Sequence, residues 1–164
     1  MPSGLYVLGT RAASADGGDG GDGAPNLARR NLMTLNWATQ VAVDPKLVAV
    51  SVEVPALTHT LLGDGRVFSL NIIARADRAI VRKFVKPLTD EGDPHTLAGF
   101  KVRTASTGAP ILAQAVAWLD CEVRHELACG SHTIFVGEVV DCGGEPADDV
   151  EVLRTEDTRM SYGG

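Results

Sequence analysis

The chain has 164 residues, a formal net charge of −6, a pI of about 5.1 and 45% hydrophobic residues. This length fits one domain, predicted over residues 1–164, whose core buries roughly 70% of the unfolded surface. The acidic balance argues against a nucleic-acid partner, and no apolar run reaches the ~18 residues that a membrane span requires.

Cysteine usage predicts the compartment. Cys121, Cys129 and Cys142 are odd in number, have no C-x-x-C spacing and lie in or beside apolar runs. A free thiol in such a run behaves as a small hydrophobic group, so no disulfide framework is expected. The N-terminus carries no basic segment before its short apolar run, which argues against an export signal. We therefore expect a cytoplasmic protein.

The first third of the chain has strand composition broken by turn residues. Gly4–Thr10 predicts a first strand, and the Gly- and Asp-rich stretch after it predicts a flexible loop at residues 14–25. Aliphatic and β-branched residues fill Arg30–Val43 and Leu47–Val54, with Asp44-Pro45 between them. This pattern predicts a long hairpin that turns at Asp44-Pro45.

Helices are predicted singly between the next strands. Ala56–Gly63 has helical spacing of its leucines, and Val67–Ile73 returns to strand composition. Asp77–Val85 predicts a second helix, because Ile80 and Phe84 are four residues apart, and Pro87 prevents its continuation.

The second half of the chain predicts mostly strands. Leu88–Pro110 is polar and irregular apart from a short strand at Phe100–Val102. Ala115–Leu127 and Thr133–Cys142 predict two long antiparallel neighbours, and Val150–Thr155 predicts a last strand. Strands outnumber helices and do not alternate with them regularly. The pattern favours an antiparallel barrel or sandwich with a few packed helices.

Several familiar motifs lack the context that their chemistry requires. Gly18, Gly20 and Gly23 match G-x-G-x-x-G, but Ala24-Pro25 follows where a dinucleotide fold needs a helix. The same loop resembles half of a glycine-aspartate calcium-binding repeat, but it occurs only once and supplies too few ligands for calcium. The four histidines show no i, i+4 pair and no cysteine at zinc spacing, and no nucleophile motif is present. We therefore predict no metal site and no hydrolase chemistry.

Short polar side chains lie inside an otherwise apolar stretch from Asn31 to Glu53. Thr34, Asn36 and Thr39 are neighbours of Trp37 along the chain, and Trp37 has a large flat ring. This arrangement suits a flat ligand with polar edges, although an ordinary hairpin with its Thr and Asn facing water has the same composition. His132 opens a strand after a turn, where it either meets a substrate or is simply exposed to solvent.

The order of several motifs resembles the flavin reductase-like family, the FMN-binding split-barrel proteins. The resemblance runs from about Leu5 to Thr155. In the first half of the chain the resemblance depends on N-x-M-T-x-x-W from Asn31 to Trp37, on Asp44-Pro45 before the strand Leu47–Val52, and on Thr58. It continues with FSLNII at Phe68–Ile73 and with Phe84. In the second half it depends on GAPIL at Gly108–Leu112, on the run Leu119–Val123, and on Gly130-Ser131-His132 before Val136–Val139.

The resemblance implies an antiparallel split β-barrel of Greek-key type with a few short packed helices, forming a homodimer. It implies that FMN, or FAD, lies at the subunit interface and accepts hydride from NADH or NADPH, with His132 as the catalytic residue beside the nicotinamide. A partner monooxygenase is implied as one receiver of the reduced flavin. The cofactor-binding residues implied by position are Asn31, Thr34, Asn36, Trp37, Ala38, Thr39, Ser51, Val52, Glu53, Thr58 and His59.

By the same resemblance, Asn36 to Thr39 contact the isoalloxazine and ribityl chain, Ser51 to Glu53 line the ring, and Thr58 approaches the phosphate. Hydroxyls such as Thr34 and Thr39 are expected to donate hydrogen bonds to the flavin rim.

Two questions stay open in the sequence. The cation that usually precedes the phosphate-contacting threonine is missing at Ala56-Leu57, and the candidates to replace it are Lys46, His59, Arg78 and Arg82. The function also has alternatives: a non-enzymatic flavin-binding electron carrier or sensor, or a split barrel that binds haem or another planar ligand.

Overall fold

The structure is a computed structural model that describes residues 3–13, 28–144 and 149–160. The predicted loop at 14–25 lies outside these residues. The described strands and α-helix are β1 (Tyr6–Arg11), β2 (Arg30–Leu35), β3 (Ala38–Ala42), β4 (Leu47–Glu53), α1 (Leu57–Gly65), β5 (Val67–Ile72), β6 (Thr96–Leu97), β7 (Phe100–Arg103), β8 (Ile111–Leu112), β9 (Ala117–Cys129) and β10 (His132–Gly144). Short 3₁₀ helices cover Arg75–Asp77, Ile80–Phe84 and Thr155–Asp157.

Seven strands form one antiparallel sheet in the order β2-β1-β5-β9-β10-β4-β3. β2 and β3 are the two edges of this sheet, although only Asn36 and Trp37 separate them in sequence. Three residue steps from Leu35 to Ala38 span at most about 11 Å, so the two edges must lie side by side. The sheet therefore curls into a barrel with a seam between β2 and β3. The predicted antiparallel split β-barrel with few helices is confirmed.

Two apolar clusters lie on opposite sides of the barrel wall. Val48, Val50 and Val52 alternate with more exposed residues along β4 and pack with Phe68 and Phe135 inside the barrel. The second cluster lies between β1, β2, the 3₁₀ helix Ile80–Phe84 and the small sheet, and its buried members include Leu5, Val7, Leu32, Val81, Phe84 and Leu97. Strand β1 is thus covered on both faces, as its nearly continuous apolar sequence requires.

Gly137 on β10 allows close packing inside the barrel. A Cβ atom at this position would lie 2.5 Å from Phe68 Cε1 and 2.9 Å from Cys121 Cβ. We therefore expect Gly137→Ala to lower the free energy of unfolding by about 1–3 kcal/mol, because the extra methyl group overpacks a filled core. Denaturant unfolding measures this change.

Gly63 in helix α1 provides the matched control. A Cβ there meets nothing within 4 Å, so Gly63→Ala should stabilise the protein by about 0.4–1 kcal/mol through the unfolded chain and the helix. Equal effects of the two alanine substitutions would contradict the packing argument.

The predicted single strand Arg30–Val43 is wrong. The chain leaves the sheet at Asn36 and returns as β3, so the Asp44-Pro45 hairpin contains only β3 and β4. β2 instead pairs with β1 at the other edge of the sheet. Both pieces have strand composition, and composition does not reveal that a chain passes from one edge of a barrel to the other.

The predicted helix Asp77–Val85 is replaced by two 3₁₀ helices. Ile80, Val81 and Phe84 are buried as the helical spacing predicted. However, the Val81 carbonyl accepts a hydrogen bond from Thr34 Oγ1 at 2.5 Å. This hydrogen bond fastens the 3₁₀ helix to β2, a tertiary contact that helical spacing along the chain does not reveal.

Two further predictions need correction near the chain's end and middle. Residues 88–110 were expected to be irregular apart from Phe100–Val102, but they hold β6 and β7, which form a three-stranded sheet with β8. Val150–Thr155 is not a strand. The Leu153 carbonyl accepts from the Leu5 N–H and the Leu153 N–H donates to the Ile73 carbonyl, so the segment forms isolated bridges to two different partners. The β9–β10 hairpin is confirmed. No described helix is long and apolar enough to cross a membrane.

Candidate functional site

The seam between β2 and β3 contains Trp37, whose ring is exposed, and Asn36, whose amide is nearly buried. Trp37 is 41% exposed, and its carbonyl accepts a hydrogen bond of 3.0 Å from the Ser51 N–H on β4. The side chain of Asn36 is nearly buried yet makes no hydrogen bond to any described residue. An amide left in this way has donors and an acceptor for a bound molecule.

His132 reaches the same place from the other half of the sequence. It begins β10 directly after the turn at Gly130, whose φ of 68° suits glycine, and it lies opposite Glu53 on β4. Its ring centroid is 4.9 Å from that of Trp37, with the planes tilted by 50°. Ser131 Oγ is 2.9 Å from His132 Nδ1, which orients the imidazole. Nε2 makes no hydrogen bond within the described part of the chain.

Helix α1 begins close to these residues with no side-chain cap. Ala56 is the N-cap residue, and the N–H groups of Leu57 and Thr58 make no hydrogen bond to described residues. Such N–H groups at a helix N-terminus favour an anion. The helix is fastened to the sheet because His59 Nε2 lies 2.8 Å from Thr133 Oγ1 and the His59 ring packs on Phe135.

Four of the predicted cofactor-binding side chains lie inside the wall rather than on its surface. Asn31 Nδ2 donates to Thr58 Oγ1 at 3.0 Å, and Asn31 Oδ1 accepts from the Leu88 N–H at 3.0 Å. Thr34 donates to the Val81 carbonyl, and Val52 belongs to the barrel core. The donor expected from Thr34 toward a flavin rim is therefore already used in the fold. These residues position the site and do not line its surface.

Of the remaining predicted residues, Trp37, Thr39 and Glu53 are exposed, Ala38, Ser51 and His59 are half-buried, and Asn36 is nearly buried. Ala38 pairs with the buried Val50 and packs against the barrel core, whereas Thr39 pairs with Ala49 and is exposed on the β3 edge. Glu53 is exposed at the end of β4. Together with Asn36, Trp37, His59 and His132, they surround the seam and the start of α1.

Position in the fold bears on which basic residue could replace the cation that is missing at Ala56-Leu57. Lys46 is five residues from Ser51 along β4, which corresponds to about 16 Å of extended chain. Arg78 and Arg82 are exposed beside and within the 3₁₀ helix Ile80–Phe84, on the outer side of β2. His59 is bonded to Thr133. No cation among these candidates replaces the missing one directly at Ala56-Leu57.

The donor set fits a planar ring that carries a phosphate. An exposed indole offers a stacking surface, the Asn36 amide offers polar edge contacts, and the uncapped first turn of α1 offers N–H groups to an anion. A thiolate is not available in the core, since burial and the neighbouring Asp120 raise the pKa of the Cys121 thiol to about 12. Cys129 and Cys142 are exposed, contrary to the expectation of apolar surroundings. No cluster of metal ligands occurs among the described residues.

The sequence did not reveal two of the residues that hold this site together. Thr133 anchors His59, and Ser131 orients His132, but both follow an ordinary turn signal. The register of β10 on β4 brings them to α1. The only available sequence signal was the turn before His132.

Comparisons with known proteins agree with this geometry. A diflavin flavoprotein from Synechocystis is 33% identical over 113 residues, which are 68% of this chain and 19% of that protein. An NADH-dependent FAD reductase from Streptomyces globisporus is 32% identical over 119 residues, covering 70% of this chain and 63% of its own length. The styrene monooxygenase flavin reductase of Pseudomonas putida superposes with a TM-score of 0.67 at 26% identity, covering 89% of this chain and 83% of its own.

The chain spans only about a fifth to less than half of the length of several curated relatives that it matches. The family pattern itself, described as the flavin reductase like domain, matches residues 1–161. This chain belongs to the flavin reductase like domain family.

Proposed function

We propose that this protein is a flavin reductase, which transfers hydride from NADH or NADPH to FMN or FAD. The observation that carries this proposal is the meeting of Trp37, Ser51 and His132 beside the start of α1. Trp37 comes from the link between β2 and β3, Ser51 from β4 and His132 from β10, and the three lie at one exposed seam. The relatives named as flavin reductases support the same reaction class.

The accessible residues divide between holding a flavin and meeting a nicotinamide. Trp37 and Ser51 offer a stacking surface and a hydroxyl, Asn36 offers an amide with no hydrogen bond to a described residue, and the α1 N–H groups take the phosphate. The flavin, when bound, supplies the hydride-accepting chemistry itself. His132 lies against Trp37 with Nε2 directed to no described partner, so it is the residue we assign to the nicotinamide.

Such a reaction needs little acid or base chemistry from the protein, because the cofactors carry the hydride. Hydride transfer between two rings asks the protein for orientation and exclusion of water, and proper orientation can contribute about 7–11 kcal/mol in favourable cases. The fold supplies rigid elements for this task, because β4, β10 and α1 are fastened by the His59–Thr133 contact. Asn31 and Thr58 fix the first turn of α1 from behind.

A homodimer is the assembly we propose. Leu127, Ile134 and Ser51 are paired directly across three strands, and Ser51 bonds to the Trp37 carbonyl. Leu127 is 61% exposed, and Val41 and Val43 are exposed on the adjoining β3 hairpin. A second copy of the chain would remove these apolar side chains from water and cover the seam. Sedimentation velocity tests this assembly, and a monomer at micromolar concentration would contradict it.

We also propose a partner enzyme and a cellular location for this protein. A partner monooxygenase would receive the reduced flavin; this proposal is supported by the Pseudomonas putida relative, which is named as the flavin reductase of a styrene monooxygenase. A cytoplasmic location follows from the three cysteines, all of which are free thiols in the described residues.

Steady-state turnover with free flavin tests the proposed function. We expect the purified protein to oxidise NADH or NADPH in the presence of excess FMN or FAD, followed by nicotinamide absorbance. Trp37→Ala should weaken flavin binding by about tenfold, because it removes the stacking surface, whereas Trp37→Phe should keep most of the affinity.

Val152→Ala is the control, since Val152 is exposed, forms an isolated bridge with Ala74 and belongs to neither the seam nor the proposed dimer face. A protein that retains one flavin per chain but does not turn over added flavin would be a carrier or sensor and would overturn the proposal. A haem spectrum, or a colourless protein that takes up neither flavin, would overturn it as well.

A further inference from the structure

An arginine-lined cavity lies on the side of the barrel covered by the 3₁₀ helices. It has a volume of about 510 Å³ and is bordered by the segment from Arg75 to Arg82 and by Asp157–Arg159. Its lining residues are Arg75, Arg78, Ala79, Arg82, Asp157, Thr158 and Arg159. We call it the arginine cavity. Four arginines and one aspartate therefore border the same space.

The carboxylate of this cavity is already neutralised. Arg75 Nε lies 2.8 Å from Asp157 Oδ1, and Arg75 NH1 lies 2.9 Å from Glu151 Oε2. Asp157 Oδ2 also accepts the Arg154 N–H at 3.0 Å. Arg75 and Asp157 thus compensate each other and leave the other arginines of the cavity unmatched.

Arg78, Arg82 and Arg159 make no ion pair with any residue in the ranges 3–13, 28–144 and 149–160. All three are exposed, and they come from two segments nearly 80 residues apart that the fold brings together. The chain as a whole has a net charge of −6. An acidic protein that collects three unmatched guanidinium groups around one cavity has a local potential that attracts anions.

The kind of anion follows from the side chains and the volume. Arginine is the residue that best recognises phosphate, through paired N–H donors in one plane. A cavity of about 510 Å³ is in the range of small-ligand sites and exceeds what a simple inorganic anion fills. Lysine, which binds phosphate as a point charge, is absent from the lining.

We propose that the arginine cavity binds a phosphorylated ligand of nucleotide size, with Arg78, Arg82 and Arg159 as its phosphate ligands. Its location relates it to the seam, because Val81, the neighbour of Arg82, is bonded to Thr34, three residues before Trp37. The phosphate can belong to a nucleotide cofactor or to a separate phosphorylated metabolite. Both share the same recognition chemistry.

Calorimetric titration of the flavin-free protein with ADP tests the site directly. At low salt we expect saturable binding of ADP, no binding of adenosine, and weaker binding as salt is raised. Arg82→Ala and Arg159→Ala should each weaken ADP binding by at least about tenfold. Arg124→Ala removes the same charge from an exposed position on β9, where Arg124 pairs with Glu122 and Glu138, and should leave ADP binding unchanged.

Cofactor measurements on the same variants identify the source of the phosphate. A loss of FAD affinity with FMN affinity kept assigns the cavity to the ADP half of FAD. A raised KM for NADPH with that for NADH kept assigns it to the 2′-phosphate. Unchanged cofactor parameters, with ADP binding lost, assign it to a separate phosphorylated metabolite. Each result supports the site.

The proposal is overturned if the wild-type protein does not bind ADP, or if the arginine variants and Arg124→Ala bind it equally. This titration needs neither flavin nor hydride transfer. An inactive protein that still binds ADP through Arg82 and Arg159 would therefore refute the proposed reductase function alone.

Discussion

Replacing Asp90 with asparagine is expected to lower the free energy of unfolding by about 3–5 kcal/mol. Arg30 has a side chain only 4% exposed, and Asp90 is 11% exposed. Three hydrogen bonds join them: Arg30 NH2 donates to Asp90 Oδ1 at 2.7 Å, and Arg30 Nε and the Arg30 backbone N–H donate to Asp90 Oδ2 at 3.0 and 3.1 Å. Removing the carboxylate leaves a buried guanidinium without a counter-charge, which is more costly than losing an exposed pair.

Further hydrogen bonds place this ion pair at the start of β2. Arg30 also donates to the carbonyls of Asp93 and Thr96, and the next residue, Asn31, binds the Leu88 N–H and Thr58. The pair therefore fastens residues 88–96 to the edge strand that leads into the seam. Chemical denaturation followed by circular dichroism measures the loss.

An exposed ion pair of the same type is the control. Arg66 pairs with Glu126, and both side chains are well exposed, at 40% and 53%. Glu126→Gln should therefore change the free energy of unfolding by no more than about 1 kcal/mol. If Asp90→Asn were as mild as Glu126→Gln, the buried pair would not stabilise the fold.

The pH dependence of this effect has a definite sign. Burial acts to raise the pKa of Asp90, but hydrogen bonds from Arg30 and Gly92 outweigh it, so its pKa lies below the ordinary value of 3.8. A lowered folded pKa means that the stabilisation is complete above the ordinary pKa and is lost as pH falls through the lowered one. The difference between wild type and Asp90→Asn should be constant near neutral pH and shrink below about pH 4.

The pKa of Asp120 shifts in the opposite direction from that of Asp90. Burial raises its pKa despite hydrogen bonds from the Thr107 N–H and hydroxyl. Its charged form is therefore disfavoured in the fold, and its contribution to stability increases as pH falls through the raised pKa. Of these two carboxylates, only Asp90 is expected to contribute to acid destabilisation of the wild type.

His132→Ala is expected to lower kcat/KM for the nicotinamide donor by about 10- to 100-fold, or about 1.4–2.7 kcal/mol, while flavin affinity changes less than about twofold. His132 contacts Trp37 and is oriented by Ser131, but its Nε2 has no partner among described residues. A side chain held in this way can position a second ring without gripping the first. Stopped-flow reduction of bound flavin, together with flavin titration, measures the two quantities separately.

Two variants sharpen the interpretation of His132→Ala. His132→Gln keeps a donor on a side chain of similar reach and should restore part of the rate, which a purely structural role would not allow. Ser131→Ala removes only the Oγ–Nδ1 contact of 2.9 Å and should have a smaller effect. Equal losses of flavin affinity and of kcat/KM in His132→Ala would contradict the nicotinamide assignment and place His132 on the flavin.

Much of the fold was predictable because its strands carry strong local signals. β4 alternates buried and exposed residues, α1 has the expected leucine spacing, and Gly130 marks the turn between β9 and β10. The break at Asn36-Trp37 was not predictable, since both flanking segments have strand composition and only pairing partners distinguish them. The same holds for Ile80–Phe84, which is fastened to β2 by the hydroxyl of Thr34, 47 residues away.

The sequence predicted which residues lie near one another in the candidate site, but not which of their side chains reach its surface. Trp37, Ser51 and His132 do meet, as the family resemblance implied. Asn31 and Thr58 are nearby but buried, because a motif fixes a position in the chain and not the direction of its side chain. The arginine cavity has no sequence signal, since Arg82 and Arg159 are far apart and belong to no common pattern.

The order of the strands in the sheet has a consequence for synthesis of the chain. The β9–β10 hairpin lies between β5 and β4, and so joins the two groups β2-β1-β5 and β4-β3. Both groups leave the ribosome before this hairpin does, and each carries an unpaired strand edge until it arrives. Open edges of this kind are sites of aggregation. The nascent protein is therefore most vulnerable to misassembly in the interval before residues 117–144 are translated, when chaperone contact would protect it.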